Sequence, residues 1–330
     1  MSRRVQTPGA ARGLSTLSAL FVIGAVCQYL GASIAVPLFG RFDPATVAWL
    51  RAAGAGVVLL AVWWPLAARR WPRIGVRFPP RRLLTAAAFG LVTLGMNMAF
   101  YTAIDSIDLG VAVAIEFLGP VVVAAAGSRT LSDGFAVLAV LVGVVLLSGA
   151  SVEGSPEGVL FALLAAALWA AYIVVGKVVA GGSVRRGTEE TTSASPPAAV
   201  RNAAPWRDGI DDLAIGLTVA GALAAPLVIG LGASAGTDSL WSWRIVAIGI
   251  GLGVLSSAIP YLLDQIVLSK VGRSQFALLL ALLPVTAAVV GALALAQIPT
   301  VPELCGMALV IAAIVFTART TDIASGAGTG

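Results

Sequence analysis

The sequence predicts an all-α integral membrane protein with ten transmembrane helices, arranged as two inverted five-helix repeats. Three observations predict it. Of 330 residues, 58% are hydrophobic and only 11% are charged, against roughly 25% charged in a soluble domain whose surface must stay wetted. Ten apolar runs approach the length of about 20 residues that a helix needs to cross the hydrocarbon core. Lys and Arg fall almost wholly in alternate loops.

The runs are 14–38, 45–66, 83–104, 110–128, 133–150, 157–180, 212–233, 245–267, 274–296 and 301–318. Mean hydropathy is +0.96, and in a bilayer such runs must be helical, because only a helix satisfies its own peptide groups without water. The first run follows Arg3, Arg4 and Arg12 like a signal peptide. It continues to about Phe39 without a small-residue cleavage site, so it reads as a retained first span.

With the N-terminus in the cytoplasm, 18 of the 21 Lys and Arg share that side. They lie before the first span, between Arg69 and Arg82, at Arg129, between Lys177 and Arg207, and at Lys270, Arg273 and Arg319. The opposite side holds Arg41 and Arg244, with Asp43, Asp105, Asp108, Glu153, Glu157, Asp238 and Glu303; Arg51 is intramembrane. Such asymmetry in short loops sets orientation, and a missed span would scramble it. Both termini are therefore expected in the cytoplasm. A reporter fused after Arg319, and one inserted near Ser193, should each give a cytoplasmic signal; a periplasmic signal from either contradicts ten spans.

Residues 1–13 form a cytoplasmic N-terminal segment, 14–150 the first five-helix repeat and 319–330 a cytoplasmic tail. The second repeat, 157–318, is interrupted by a polar stretch, 181–211, rich in Ser, Thr and Pro, which reads as a flexible cytoplasmic linker. Five spans per half is an odd number, which forces the second half into the membrane upside down. Two similarities support the duplication. Leu50-Arg51-Ala52-Ala53-Gly54-Ala55 resembles Leu217-Thr218-Val219-Ala220-Gly221-Ala222, and Leu118-Gly119-Pro120-Val121 resembles Leu282-Leu283-Pro284-Val285, at offsets of 167 and 164 residues. Pro120 and Pro284 each remove a backbone donor within a span and act as helix-breaking hinges, and paired breakers point to a binding site between the halves. Gly249 and Gly253, spaced GxxxG, read as close helix packing.

Arg51, Asn97, Glu116 and Gln28 are polar groups inside apolar runs. A charge at the bilayer centre costs at least about 2.5–3.5 kcal/mol, so such residues are usually paired or functional. Six or seven residues separate Arg51, Glu116 and Asn97 from the outer ends of their spans, which puts all three about 9–10 Å deep at 1.5 Å per residue. Glu116 suits a substrate ammonium or a proton. Arg51 suits either a pair with Glu116 or a substrate carboxylate; outward snorkelling is the alternative. Asp264 lies near the cytoplasmic end of span eight, where it can reach the interface. Trp169 and Tyr172 are positioned on span six to line a cavity or to pack.

No His is present, which removes the commonest metal ligand and general base. Cys27 and Cys305 lie in apolar runs without metal spacing, and no GxxxxGK[ST] phosphate loop appears. The sequence thus calls for no cofactor, no metal and no nucleic acid, the basic charge being a topology signal. The partners expected are a small-molecule substrate, protons and the lipid bilayer, with a homodimer left open.

Residues 96–120, MNMAFYTAIDSIDLGVAVAIEFLGP, resemble the EamA-type branch of the drug/metabolite transporter superfamily, specifically exporters of the threonine/homoserine kind. The likeness rests on Met96, Asn97, Phe100, Tyr101, Ala103, Ile104, Leu109, Gly110, Ala112, Val113, Glu116, Phe117, Gly119 and Pro120. Trp169, Tyr172 and Gly176, and Ala258-Ile259-Pro260-Tyr261, also fit it. Leu283 stands where that family often has Glu, Ala296-Gln297 where it often has Gly-Glu, and Asp264 where Glu is expected. The resemblance implies a secondary transporter in a bacterial cytoplasmic membrane, exporting an amino acid or related metabolite by proton antiport. Its substrate or proton site would draw on Glu116, Arg51, Asn97, Gln28, Tyr101, Trp169 and Tyr172. The alternatives are an exporter of drugs or organic cations, and a membrane-embedded enzyme or scaffold.

Overall fold

The computed structural model describes residues 8–70, 80–127, 131–152, 155–190, 206–232, 242–268, 270–271 and 273–327. Every regular element among them is helical. In chain order they are α1 (Pro8–Ala35), a 3₁₀ turn (Val36–Leu38), α2 (Pro44–Arg70), α3 (Pro80–Ser106), α4 (Leu109–Glu116) and α5 (Leu118–Gly127). Then follow α6 (Leu131–Val152), α7 (Pro156–Glu190), α8 (Trp206–Gly232), α9 (Trp243–Gly253), a π turn (Val254–Ala258) and α10 (Ile259–Leu268). The last are α11 (Arg273–Leu280), α12 (Leu282–Leu295) and α13 (Val301–Ala327).

Six stretches are long and apolar enough to cross a membrane: Thr16–Leu38, Pro44–Ala61, Ala87–Ser106, Pro156–Val175, Trp243–Asp264 and Leu278–Leu295. Leu109–Ala124, Gly134–Leu147, Ala214–Pro226 and Val301–Phe316 are shorter apolar helical stretches in the places of the other four predicted runs. The ten runs are thus all helical, and six of them meet the length of a full span among the described residues. Large side chains such as Phe135, Val145 and Leu293 point outward at 69%, 68% and 83% exposure. Apolar surface on this scale belongs against lipid rather than water.

The polar stretch 181–211 differs from its expectation at both ends. Helix α7 continues through Glu190 and α8 begins at Trp206, while 191–205 lie outside the described residues. Extending an existing helix adds one hydrogen bond per residue ordered and avoids the unfavourable nucleus, so composition alone misplaces the helix end.

Two helical runs are broken at matching points. Phe117 separates α4 from α5 and Ala281 separates α11 from α12, each three residues before Pro120 or Pro284. A proline removes its own N–H and crowds the carbonyl four residues back, here that of Glu116 and of Leu280. Pro260 stands in the same relation to Ser256, inside the π turn. Helix α12 ends on Ala296 at φ 57°, with the Gln297 N–H closing on the Gly291 carbonyl at 3.2 Å. Left-handed backbone costs a Cβ-bearing residue about 1–2 kcal/mol, and Ala occupies it here. The Gln297 side chain accepts the Leu109 N–H at 3.1 Å, tying this end of α12 to the start of α4.

Small residues set the helix crossings. A Cβ on Gly54 would lie 2.8 Å from the Gly249 carbonyl carbon and 2.9 Å from the Ile250 Cα. One on Gly253 would lie 2.7 Å from the Arg51 carbonyl oxygen. Backbones in this proximity bring α2 against α9, and Gly90 against Gly216 does the same for α3 and α8. The buried core runs through α1, α3, α4, α6, α7, α12 and α13. A smaller cluster joins α2, α3 and α8, with Tyr261 packed on it.

Candidate functional site

Arg51 is 4% exposed, held in the interior by α2. Its Nη1 donates to the Tyr101 hydroxyl at 3.2 Å and to Ser256 Oγ at 3.4 Å, and its Nη2 donates to Asn97 Oδ1. The guanidinium carbon lies 4.8 Å from the Tyr101 ring centroid, within cation–π range. Each acceptor is fixed from behind. Asn97 Nδ2 donates to the Thr93 carbonyl at 2.7 Å, turning Oδ1 toward Arg51. Ser256 Oγ donates to Leu252 O at 2.6 Å, which leaves its lone pairs for the arginine. Tyr101 is wedged between Phe39 and Phe100. The Arg51 Nε is buried with no acceptor.

A buried guanidinium normally pairs with a carboxylate, because removing a charge from water is expensive unless it is matched. Here its partners are neutral, and Glu116 acts on it through space rather than in a contact ion pair. Glu116 is the last residue of α4, at the break before Phe117, whose ring meets Trp169 edge-on at 4.9 Å. Glu116, Tyr172, Tyr261 and Asp264 are each half-buried.

The sequence-predicted residues divide accordingly. Arg51, Asn97 and Tyr101 form one hydrogen-bonded group, and Glu116 is its electrostatic neighbour. Gln28 is half-buried, while the neighbouring Tyr29, at 2% exposure, is turned into the core. Trp169 packs on Phe117, and Tyr172 stacks on Phe89 at 4.5 Å. Sequence reasoning missed Tyr29 and Ser256. The Ser256-Ser257 pair interrupting an apolar span was a signal for the second; nothing in the residue order marked Tyr29. Tyr261 entered only through the resemblance, and it packs against the cluster of α2, α3 and α8.

At the start of α13, Thr300 donates from its N–H and its hydroxyl to Glu303 Oε2, at 2.6 and 2.9 Å. Burial, with the Glu303 carboxylate beside it, raises the Asp108 pKa above the usual carboxylate range. No cluster of metal-ligating side chains occurs among the described residues.

A family model described as the EamA-like transporter family matches residues 210–319. The threonine/homoserine exporter RhtA of Salmonella typhimurium (strain LT2) is 31% identical over 311 residues, covering 93% of each chain. RhtA of Escherichia coli (strain K12) is 32% identical over 286 residues, covering 86% of this chain and 84% of that one. A solved crystal structure superposes with a TM-score of 0.53 at 20% identity, over 93% of this chain and 99% of the other, a likeness of fold alone. With identity above 30% along nearly the whole length of a relative, the chain belongs to the EamA-like transporter family.

Proposed function

We propose that this protein exports a small zwitterionic metabolite, an amino acid of the threonine or homoserine kind, across a bacterial cytoplasmic membrane by proton antiport. The observation that carries the reading is the Arg51 guanidinium, buried among neutral acceptors with an unpartnered Nε and within electrostatic reach of Glu116. A solute carboxylate completes the arginine, whose planar fork matches it bidentately. The solute ammonium then meets Glu116. A proton and that ammonium compete for one carboxylate, so occupancy by either releases the other.

Two inverted five-helix repeats supply the alternating-access frame. Several packing relations support them. The stretches resembling each other in α2 and α8 meet face to face, where a Gly221 Cβ would lie 3.4 Å from the Ala53 Cβ; elements beside a twofold axis touch their own counterparts. The α2–α9 and α3–α8 crossings form a matched pair, as do the breaks before Pro120 and Pro284. Glu116 has no acidic counterpart in the second half, where Leu280 stands four residues before the proline.

Counterflow tests the reading. In proteoliposomes preloaded with unlabelled threonine or homoserine, uptake of the labelled amino acid should accelerate. Equal uptake with and without preloading, across a broad amino-acid panel, would refute it.

A further inference from the structure

We propose that Asn97 sets the charge class of the exported solute. By holding Arg51 with a neutral oxygen it reserves the guanidinium for a carboxylate, so that zwitterions are accepted and esters of the same skeleton are refused. The inference deepens the export reading and rests on it for the identity of the solute.

Donor accounting comes first. A guanidinium carries five N–H donors and no acceptor. Nη1 meets two acceptors, the Tyr101 hydroxyl and Ser256 Oγ, and Nη2 meets one, Asn97 Oδ1. The buried Nε–H meets none. Two donors therefore remain, the Nε–H and the second Nη2–H, on two nitrogens of one planar fork. A carboxylate presents two oxygens in a plane and takes both donors together. A single hydroxyl or carbonyl oxygen takes one and leaves the other unsatisfied, which is costly in a buried place.

Asn97 governs this pair through alignment. It grips Nη2, one of the two nitrogens with a donor left, and its own amide is fixed in turn. Nδ2 donates to the Thr93 carbonyl, one turn back on α3, at 2.7 Å. Reversing the amide would set its NH2 against the guanidinium and its oxygen against a carbonyl, so these partners permit one placement. Tyr101 and Ser256 hold only Nη1, which has no donor left.

It also governs the pair through charge. An amide oxygen accepts a hydrogen bond without cancelling the positive charge, whereas a carboxylate of the same shape would cancel it. Arg51 and Asn97 are 4% and 7% exposed, and buried charges are screened little by salt. A buried guanidinium is expensive until an anion matches it. A solute with an ammonium but no carboxylate leaves that cost standing; a zwitterion removes it.

The test compares threonine with its methyl ester, which keeps the ammonium and the hydroxyl and lacks the anion, at about pH 6, where the α-amino group is protonated. Two readouts use the full chain: competition with labelled threonine exchange in proteoliposomes, and thermal stabilisation of the purified protein. The parent should favour threonine over the ester about 30-fold in half-saturating concentration. Asn97→Asp, isosteric and anionic, should erase or reverse that preference by weakening threonine and sparing the ester. Asn97→Ala removes the alignment and leaves the charge of Arg51 unmatched. It should raise half-saturating threonine about tenfold with little change in maximal rate, and keep the preference against the ester. A parent that exchanges threonine and is indifferent to the ester overturns the proposal and leaves the export reading standing. An unchanged preference in Asn97→Asp overturns it as well, as does an unchanged half-saturation in Asn97→Ala, which decides alone if the Asp variant does not fold. A parent that exchanges no amino acid, yet is stabilised by threonine over the ester until Asn97→Asp removes the difference, supports the assignment and refutes export. A parent with neither exchange nor stabilisation overturns both.

Discussion

Glu116→Gln abolishes proton-driven export while the protein still inserts and purifies as a monodisperse species. The amide keeps the volume and one hydrogen-bonding oxygen and loses only the charge. Glu116 makes no contact ion pair with Arg51, so its removal strands no salt-bridged partner and the fold is spared. What disappears is the anion opposite the solute ammonium. Truncating one member of a buried charge pair costs about 2–5 kcal/mol, and solute affinity should fall by about 30-fold or more on that scale. The variant should also lose its response to an imposed pH gradient, because the group for which proton and solute compete is gone. The measurement is efflux of labelled threonine from proteoliposomes at several internal and external pH values. An unchanged rate and pH response would make Glu116 a structural residue.

Gly253→Leu destroys the folded protein, by a cause independent of transport chemistry. The leucine Cβ would stand 2.7 Å from the Arg51 carbonyl oxygen and 2.8 Å from the Gly54 carbonyl carbon. Both obstacles are backbone, so no side chain can rotate away and α2 must part from α9. Overpacking of a close-packed interior typically costs about 1–3 kcal/mol, and a backbone obstacle puts this case at the upper end. Parting the helices also draws Arg51 from Ser256, leaving donors unsatisfied at about 1–3 kcal/mol each. Gly251 lies on the same helix with open space around its Cβ position, so Gly251→Leu serves as the control. Thermal unfolding in detergent should show Gly251→Leu near wild type, with Gly253→Leu aggregated or melting far lower. Equal melting of the two variants would show that the α2–α9 crossing is not held by backbone contact.

The sequence by itself determined the helical class and the ten apolar runs. Membrane insertion is governed largely by one coordinate, distance along the bilayer normal, and hydropathy and Lys/Arg placement both act along it. Arg51 and Asn97 were therefore legible as residues at one level, and the structure hydrogen-bonds them. The GxxxG spacing of Gly249 and Gly253 was legible for a related reason, since a missing side chain marks where two backbones approach. Rotation about each helix axis has no such signal, because lipid and protein interior are equally apolar. Only tertiary packing could turn Tyr29 rather than Gln28 into the core and give Arg51 to Tyr101, Ser256 and Asn97 instead of Glu116. The continuation of α7 to Glu190 was hidden as well, because helix propagation depends on the turn before it and not on the composition of the residues it reaches.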